Sequence, residues 1–327
     1  MRYLTYICLF SLLCLNALAQ KQHVVAFYNV ENLFDTINSP ATADEDMLPL
    51  SDRRWDTKRY EAKLKNISQI LLDITSQHDY PTLIGVAEVE NRSVVEDLIR
   101  EPALAAAHSN ICHYDSPDER GIDVALLYRP EKINILGSKA IPATADNPTR
   151  DILTAWGELD DEPIFIAVVH WPSRIGGVKF TEPQRIACAQ QLREIVDSVQ
   201  YHTPAAKIII MGDMNDNPHD RSITEVLRAK SNVNKLLPND LYAPFANVKR
   251  GSSVYDNRWN RYDNIIVSGN IVKGNGFRLC PIGKRYGAIF NRKDMLDKHG
   301  YPKPTFKGDE YIGGASDHLP IYIILDK

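Results

Sequence analysis

Four apolar stretches of the sequence end in residues that bind hard cations or move protons. Val24-Val25-Ala26-Phe27-Tyr28 leads to Asn29, Leu83-Ile84-Gly85-Val86-Ala87 leads to Glu88, and Phe165-Ile166-Ala167-Val168-Val169 leads to His170. Ile208-Ile209-Ile210-Met211-Gly212 leads to Asp213, with Asn215 and Asp216 just beyond it. Near the C-terminus the order is reversed, because Ser316-Asp317-His318 precedes an apolar run. Carboxylates and amides with few nitrogens and no thiolate favour Mg²⁺ or Mn²⁺ over zinc, with Ca²⁺ a further candidate. Such an ion screens a phosphate, lowers the pKa of a bound water and stabilises a leaving oxygen, while histidines transfer protons near neutral pH. The set points to phosphate-ester chemistry.

Each residue has a plainer use when taken singly. Asn29 suits a turn, Glu88 an ion pair, His170 a hydrogen bond in the core, the Gly212-to-Asp216 segment an ordinary turn, and Asp317-His318 a helix cap. Five plain uses at once, all at the ends of apolar runs, are the less economical account. The functional account requires those runs to lie side by side, so that their polar ends collect along one edge of a core.

The elements that would do this are legible. Apolar, β-branched runs recur at residues 24–30, 83–89, 124–128, 164–169, 208–211, 265–267 and 321–325, and their continuous character predicts strands buried on both faces. Between them, Tyr60, Leu64, Ile67, Ile70, Leu71 and Ile74 share one helical face, and Val94, Val95, Leu98 and Ile99 share another. A third helix is expected from Pro183 to Val199, burying Ile186, Ala189, Leu192 and Val196, with Pro183 suited to its start. This order predicts an α/β protein, a sandwich of packed sheets with helices on the outer faces. Residues 35–54 and 230–255 read as long loops, of the kind that rim binding sites.

Composition narrows the function classes. A hydrophobic content of 44% argues against wholesale disorder, and a formal charge of −4 excludes a broadly cationic surface for non-specific polyanion binding. Met1-Arg2, an apolar run from Tyr3 to Leu18 and Ala17-Leu18-Ala19 before Gln20 form the pattern of a cleavable signal peptide. The expectation is a leader over 1–19 and one exported domain over 20–327, periplasmic or secreted and monomeric, with no membrane span after cleavage. The run is short for a bilayer span. Cys112, Cys188 and Cys280 remain, too few and too scattered for a disulfide framework.

Asn29-Val30-Glu31-Asn32, Glu88-Val89-Glu90-Asn91, Gly212-Asp213-Met214-Asn215-Asp216 and Ser316-Asp317-His318 occur in the order and approximate spacing of the endonuclease/exonuclease/phosphatase superfamily. The chain resembles these deoxyribonuclease I-like phosphoesterases over essentially all of its mature length. The resemblance implies a four-layered α-β-β-α sandwich of two mixed sheets flanked by helices. It implies Glu88 as the principal metal ligand with Asn29 and Asp317 beside it, and Asp213 and Asn215 placing the nucleophilic water and the phosphate. His318 would be the general base oriented by Asp263 in Arg261-Tyr262-Asp263-Asn264, and His170 the second histidine, donating as charge develops. Two positions depart from the pattern: Val168 stands where many members carry Asn, and Tyr262 where a smaller apolar residue is common.

Arginines supply further candidates for the phosphate. Arg120 in Asp118-Glu119-Arg120-Gly121-Ile122-Asp123 offers a planar fork that Asp123 could fix, and Arg174 and Arg150 are similar cases. Trp171 and Trp259 suit packing more than base stacking. The leading expectation is a metal-dependent phosphodiester hydrolase acting on nucleic acid. The alternatives are a phosphodiesterase or phosphatase for lipid headgroups or small phosphorylated molecules, and a non-catalytic binding protein on the same fold.

Overall fold

A computed structural model describes residues 21–75, 79–145 and 148–327; the expected leader over 1–19 lies outside them. The chain begins with β1 (Gln22–Leu33), α1 (Thr57–Asp73), β2 (Leu83–Val89), α2 (Arg92–Arg100), β3 (Asn110–His113) and β4 (Asp123–Tyr128). It continues through β5 (Ile133–Ile141), β6 (Ile152–Leu159), β7 (Glu162–His170), α3 (Val178–His202) and β8 (Lys207–Asp213). Two short strands, β9 (Ala229–Lys230) and β10 (Leu241–Tyr242), and a hairpin of β11 (Ser253–Tyr255) and β12 (Arg258–Asn260) precede β13 (Asp263–Ser268) and α4 (Gly269–Lys273). The last part holds β14 (Arg278–Cys280), β15 (Ala288–Ile289), the hairpin β16 (Phe306–Lys307) and β17 (Glu310–Tyr311), and β18 (Ile321–Asp326).

Two seven-stranded sheets result, one ordered β14-β18-β1-β2-β4-β3 with β15 also on β18, the other β5-β6-β7-β8-β13-β10-β9. Each has a parallel pair at its centre, β1 with β2 and β7 with β8. Parallel neighbours cannot be joined by a tight turn, so α1 and α3 serve as the crossovers. Antiparallel strands flank both pairs: β18 and β4 in the first sheet, β6 and β13 in the second.

Successive side chains of a strand point to opposite faces, and here each face finds its own partner. Val25 and Phe27 of β1 meet Ile209 and Met211 of β8 in a core between the sheets. Ala26 and Tyr28 turn the other way, onto Leu64, Ile67 and Leu71 of α1 and Val95 and Leu98 of α2. Ile208 and Ile210 turn outward onto Ala189, Leu192 and Val196 of α3. Three apolar layers therefore hold four layers of backbone in the order α-β-β-α. Each fully buried aliphatic side chain contributes about 1.5–3 kcal/mol, which makes the continuous runs the main source of cohesion.

Several details differ from the sequence reading. Helix α3 starts at Val178, so Pro183 lies inside it rather than at its start. Strands β5 and β6 went unread: β5 is an edge strand whose residues beyond Ile133 are exposed or only partly buried, so it carries no continuous apolar run. Among the described residues no helix is long and apolar enough to cross a membrane. The three cysteines are unpaired, Cys112 and Cys188 buried and Cys280 partly so.

Val169 of β7 and Gly212 of β8 are paired neighbours, and His170 pairs with Asp213 directly beyond them. A Cβ at Gly212 would overlap the Val169 carbonyl oxygen, which is backbone and cannot step aside. Gly212→Ala is expected to destabilise the chain by about 1–3 kcal/mol, as overpacking does. The check is urea unfolding: a lower midpoint is expected, and a midpoint equal to that of the parent chain would show that the strands are not this close.

Candidate active site

The polar ends of the central strands meet where the two sheets face each other. Asn29 Nδ2 donates across the gap to Asp213 Oδ2 at 3.1 Å and, within its own sheet, to Glu88 Oε1 at 3.3 Å. The Asn29 oxygen accepts the Glu31 N–H at 3.0 Å. Backbone irregularity aims these groups: the β1–β2 register shifts between Asn29 and Leu33, and the β2–β4 register between Ala87 and Val89. Glu31, Asn32, Glu88 and Asn215 all have positive φ, between 48° and 65°. Residues other than glycine adopt that conformation at a cost, and such strain gathers at functional sites. One return is the Asn32 N–H, which donates to Glu88 Oε2 at 3.0 Å.

Asp213 Oδ2 is the hub of the cleft. His170 Nε2 and His318 Nε2 each stand 3.8 Å from it, and His170 Nε2 is 3.9 Å from Glu88 Oε1. Those gaps are too long for direct hydrogen bonds and suit an intervening oxygen of water or substrate. Asp213 Oδ1 accepts the Asn215 N–H at 2.9 Å, and Asn215 Nδ2 donates to the Trp171 carbonyl at 3.0 Å. His318 Nδ1 lies 2.7 Å from Asp263 Oδ2, an interaction that puts a proton on Nδ1 and turns Nε2 toward Asp213. Strand pairing sets this up, since Asp263 and Asp213 are register partners on β13 and β8.

The two histidines are pushed in opposite directions. Burial favours a neutral His318 ring, but Asp263, Asp317 and Asp213 outweigh it and keep the pKa well above its ordinary value. Burial, with the charges of Arg150, Arg120 and His318 adding to it, holds His170 well below its ordinary value. The His170 Nδ1 atom is buried and has no hydrogen-bond partner among the described residues.

The carboxylates carry more negative charge than their surroundings answer. Burial, then Asp317, pushes Glu31 up to about 7. Burial, then Asp263, pushes Asp213 up to about 6, with Glu88 adding to the rise. A divalent cation would relieve this crowding, and an oxygen-rich donor set of this kind suits a hard one. Ligand atoms of Asp213, Asp263 and His318 also lie within 4.8 Å of one another, but two of them are already joined in the His318–Asp263 hydrogen bond. Of the remaining acids, Glu88 and Asp213 are bridged by Asn29, and the solvent-exposed Asp317 bears on both electrostatically.

Residues expected at the phosphate are distributed unevenly. The Arg120 side chain is 49% exposed and its Nε stands 3.7 Å from Asp118. Asp123, expected to fix it, instead meets His113 at 3.1 Å and the Ser116 N–H at 2.8 Å, because its strand position turns it toward β3. Asp118 also binds the buried Arg150 at 2.8 Å, and Arg150 donates to the Trp171 carbonyl. Arg174 donates to the Asn215 carbonyl at 2.5 Å and to Asp216 and Asp220, and its guanidinium covers the Tyr262 ring. It braces the turn carrying Asn215. Asp216 is a structural anchor, bound to the fully buried Arg185 at 2.8 Å and to Ser222. Val168 points into the core between the sheets, while Trp171 is buried against α3.

Two residues at the site escaped the sequence reading. Glu31 sits two places after Asn29 within a segment already singled out, and that alternation was its signal. Lys63 lies on the apolar face of α1 beside Tyr60, Leu64 and Ile67, where a lysine is out of place.

A family model described as the endonuclease/exonuclease/phosphatase family matches residues 24–327. A search of curated proteins returns no match. Among solved structures the chain is similar to a D. rerio TDP2 humanized by 14 mutations, with TM-score 0.59 and 16% identity over 94% of this chain and 99% of that one. A D. rerio TDP2 complexed with a single-strand DNA product gives 0.58 and 16%, covering 94% of this chain and 99% of that one. A mannosyl-6-phosphatase of Bacteroides thetaiotaomicron gives 0.55 and 16%, covering 93% and 99%. At these identities the likeness shows the fold.

A carboxylate whose pKa is higher in the fold than in the unfolded chain opposes folding once it ionises. For Glu31 and Asp213 that penalty is absent below the unfolded values of 4.5 and 3.8, grows as pH rises, and is complete above about 7 and about 6. The raised pKa of His318 acts in the same direction, since its stabilising proton is lost as pH rises through the folded value. A cation among the carboxylates offsets the penalty, so Mg²⁺ or Mn²⁺ is expected to raise Tm more at pH 8 than at pH 5. Thermal melts with and without the ion check this; equal increments at the two pH values would contradict it.

Proposed function

The chain belongs to the endonuclease/exonuclease/phosphatase family, and from that membership we propose that it hydrolyses phosphoesters with a divalent cation, Mg²⁺ or Mn²⁺. One observation carries the reading: Asn29 and two histidines surround a single Asp213 carboxylate at the meeting of the sheets, with Glu88 alongside. Glu88 and Asp317 would hold the ion, with Asn29 keeping Glu88 and Asp213 apart and aligned. When bound, the ion screens the phosphate and makes water more acidic.

The chain's own groups account for the remaining chemistry. Asp213 and Asn215 orient the attacking water against the phosphorus. With a cation answering the charge of Asp317 and Asp213 that otherwise holds a proton on His318, the ring would take the water's proton at Nε2, while Asp263 fixes it and stabilises the imidazolium that forms. His170, kept neutral by burial, offers an N–H to a phosphate oxygen as charge grows on it. Arg120 at the rim meets the non-reacting part of the phosphate. The reaction is an in-line displacement helped mainly by positioning and electrostatics.

The leading substrate class is a nucleic-acid phosphodiester, supported by the similarity to TDP2 complexed with single-strand DNA product. A small phosphorylated molecule is the second reading. The formal charge of −4 and the similarity to a mannosyl-6-phosphatase favour it. Export by way of a leader over 1–19 belongs to the same proposal. Intact-mass measurement of exported protein is expected to show Gln20 as the first residue, and a retained Met1 would refute cleavage.

A panel of DNA, RNA, sphingomyelin, inositol phosphates and sugar phosphates, assayed with Mg²⁺, Mn²⁺ and Ca²⁺, tests the reading. Activity is expected to vanish with chelator. His318→Ala is expected to lower kcat by about 10²–10⁴-fold, the usual contribution of a general base. Glu88→Ala should lose activity at limiting metal and recover part of it with excess ion. Hydrolysis that survives both chelator and His318→Ala would rule out this mechanism.

A further inference from the structure

Lys63 is only 1% exposed, and its amine ends beneath the cleft rather than in solvent. A buried ammonium is unfavourable, and replacing a whole buried charge cluster by apolar side chains often leaves a fold as stable or more so. Packing alone therefore does not account for it.

Its Nζ donates to Thr305 Oγ1 and, at 3.0 Å, to the Ala315 carbonyl. Those partners lie 242 and 252 residues away in sequence, so the amine ties α1 to the two segments that flank the β16–β17 hairpin. Glu31 grips the same two segments through their N–H groups: Glu31 Oε2 accepts from Thr305 at 2.7 Å and from Asp317 at 3.0 Å. Thr305 Oγ1 donates onward to the Gly314 carbonyl at 3.3 Å. Ser316 completes the frame, donating to the Asn29 carbonyl at 2.7 Å and accepting the His318 N–H at 3.0 Å. Asp317 and His318 are thus suspended between a buried amine on one helix and a half-buried carboxylate on β1.

Resting on the phosphoesterase reading of the site, we propose that Lys63 is a positioning residue: acting through Thr305, Ala315 and Glu31, it sets where Asp317 and His318 stand against Glu88. Lys63 touches neither substrate nor the reacting atoms. Its influence reaches the chemistry through the backbone of 314–318, as groups behind a ligand shell do.

The test uses full-length Lys63→Met, which keeps length and removes the donors. Tm is expected to fall, because Thr305 Oγ1 and the Ala315 carbonyl lose their donor and the neighbouring acids lose a countercharge. The kcat on the best phosphoester of the panel should fall about 10–100-fold with KM nearly unchanged, and Mn²⁺ affinity by calorimetry should weaken by about tenfold or more. Thr305→Val, which deletes one acceptor and keeps the shape, should move both in the same direction by less, and it serves if Lys63→Met does not fold. Parent-like kcat and Mn²⁺ affinity in the folded variant would overturn the proposal. So would a lowered Tm with kcat and Mn²⁺ affinity intact, because that is a merely structural lysine. A parent chain that hydrolyses none of the phosphoesters would instead overturn the proposed function, and the Mn²⁺ titration would still decide whether Lys63 governs the carboxylates.

Discussion

Two independent sheets must approach closely enough for Asn29 on one to reach Asp213 on the other, at 3.1 Å. Side chains from both inner faces fill the space between, and the glycine at 85 on one sheet leaves room for Met211 of the other. Every other distance in the cleft follows from that approach. The histidines stand where they do because His170 pairs with Asp213 in one register and Asp263 pairs with it in the other. A shift of one residue in either ladder would turn these side chains to the opposite face.

Charge is managed by segregation. The acids of the cleft are left short of countercharge, while the arginines behind it are committed to structural acids: Arg185 and Arg174 to Asp216, Arg150 to Asp118. This arrangement keeps those guanidinium groups from neutralising Glu88 and Asp213. A sequence with formal charge −4 overall thus holds its most consequential negative charge in one recess.

Much of the architecture was legible in the sequence because burial on both faces forces continuous apolar runs. Each run at the centre of a sheet, such as Leu83–Val89 or Lys207–Asp213, announced itself with its polar end attached. Edge strand β5 did not, since solvent on one side interrupts the pattern. Asn29, Glu88, His170 and Asp213 come together because strand order sets the ends of their runs side by side. Asp123 and Arg174 show the limit: a motif gives proximity along the chain, but the partner of a charged side chain depends on the direction in which its strand or turn leaves the sheet. Asp123 turned to His113, and Arg174 to the Asn215–Asp216 turn. Lys63 was hidden differently, because its partners lie more than 240 residues away.

Strand β1 is flanked by β2 on one side and by β18 on the other, so the first strand of the described chain waits for the last before its hydrogen-bonding edge is covered. The same C-terminal stretch carries Asp317 and His318. The cleft therefore cannot assemble piecemeal: until the stretch that carries Asp317, His318 and β18 docks, the sheet has an open side and the recess lacks a wall. Long-range pairing of this kind slows folding, and here it makes the closing of the first sheet and the arrival of Asp317 and His318 at the cleft one event.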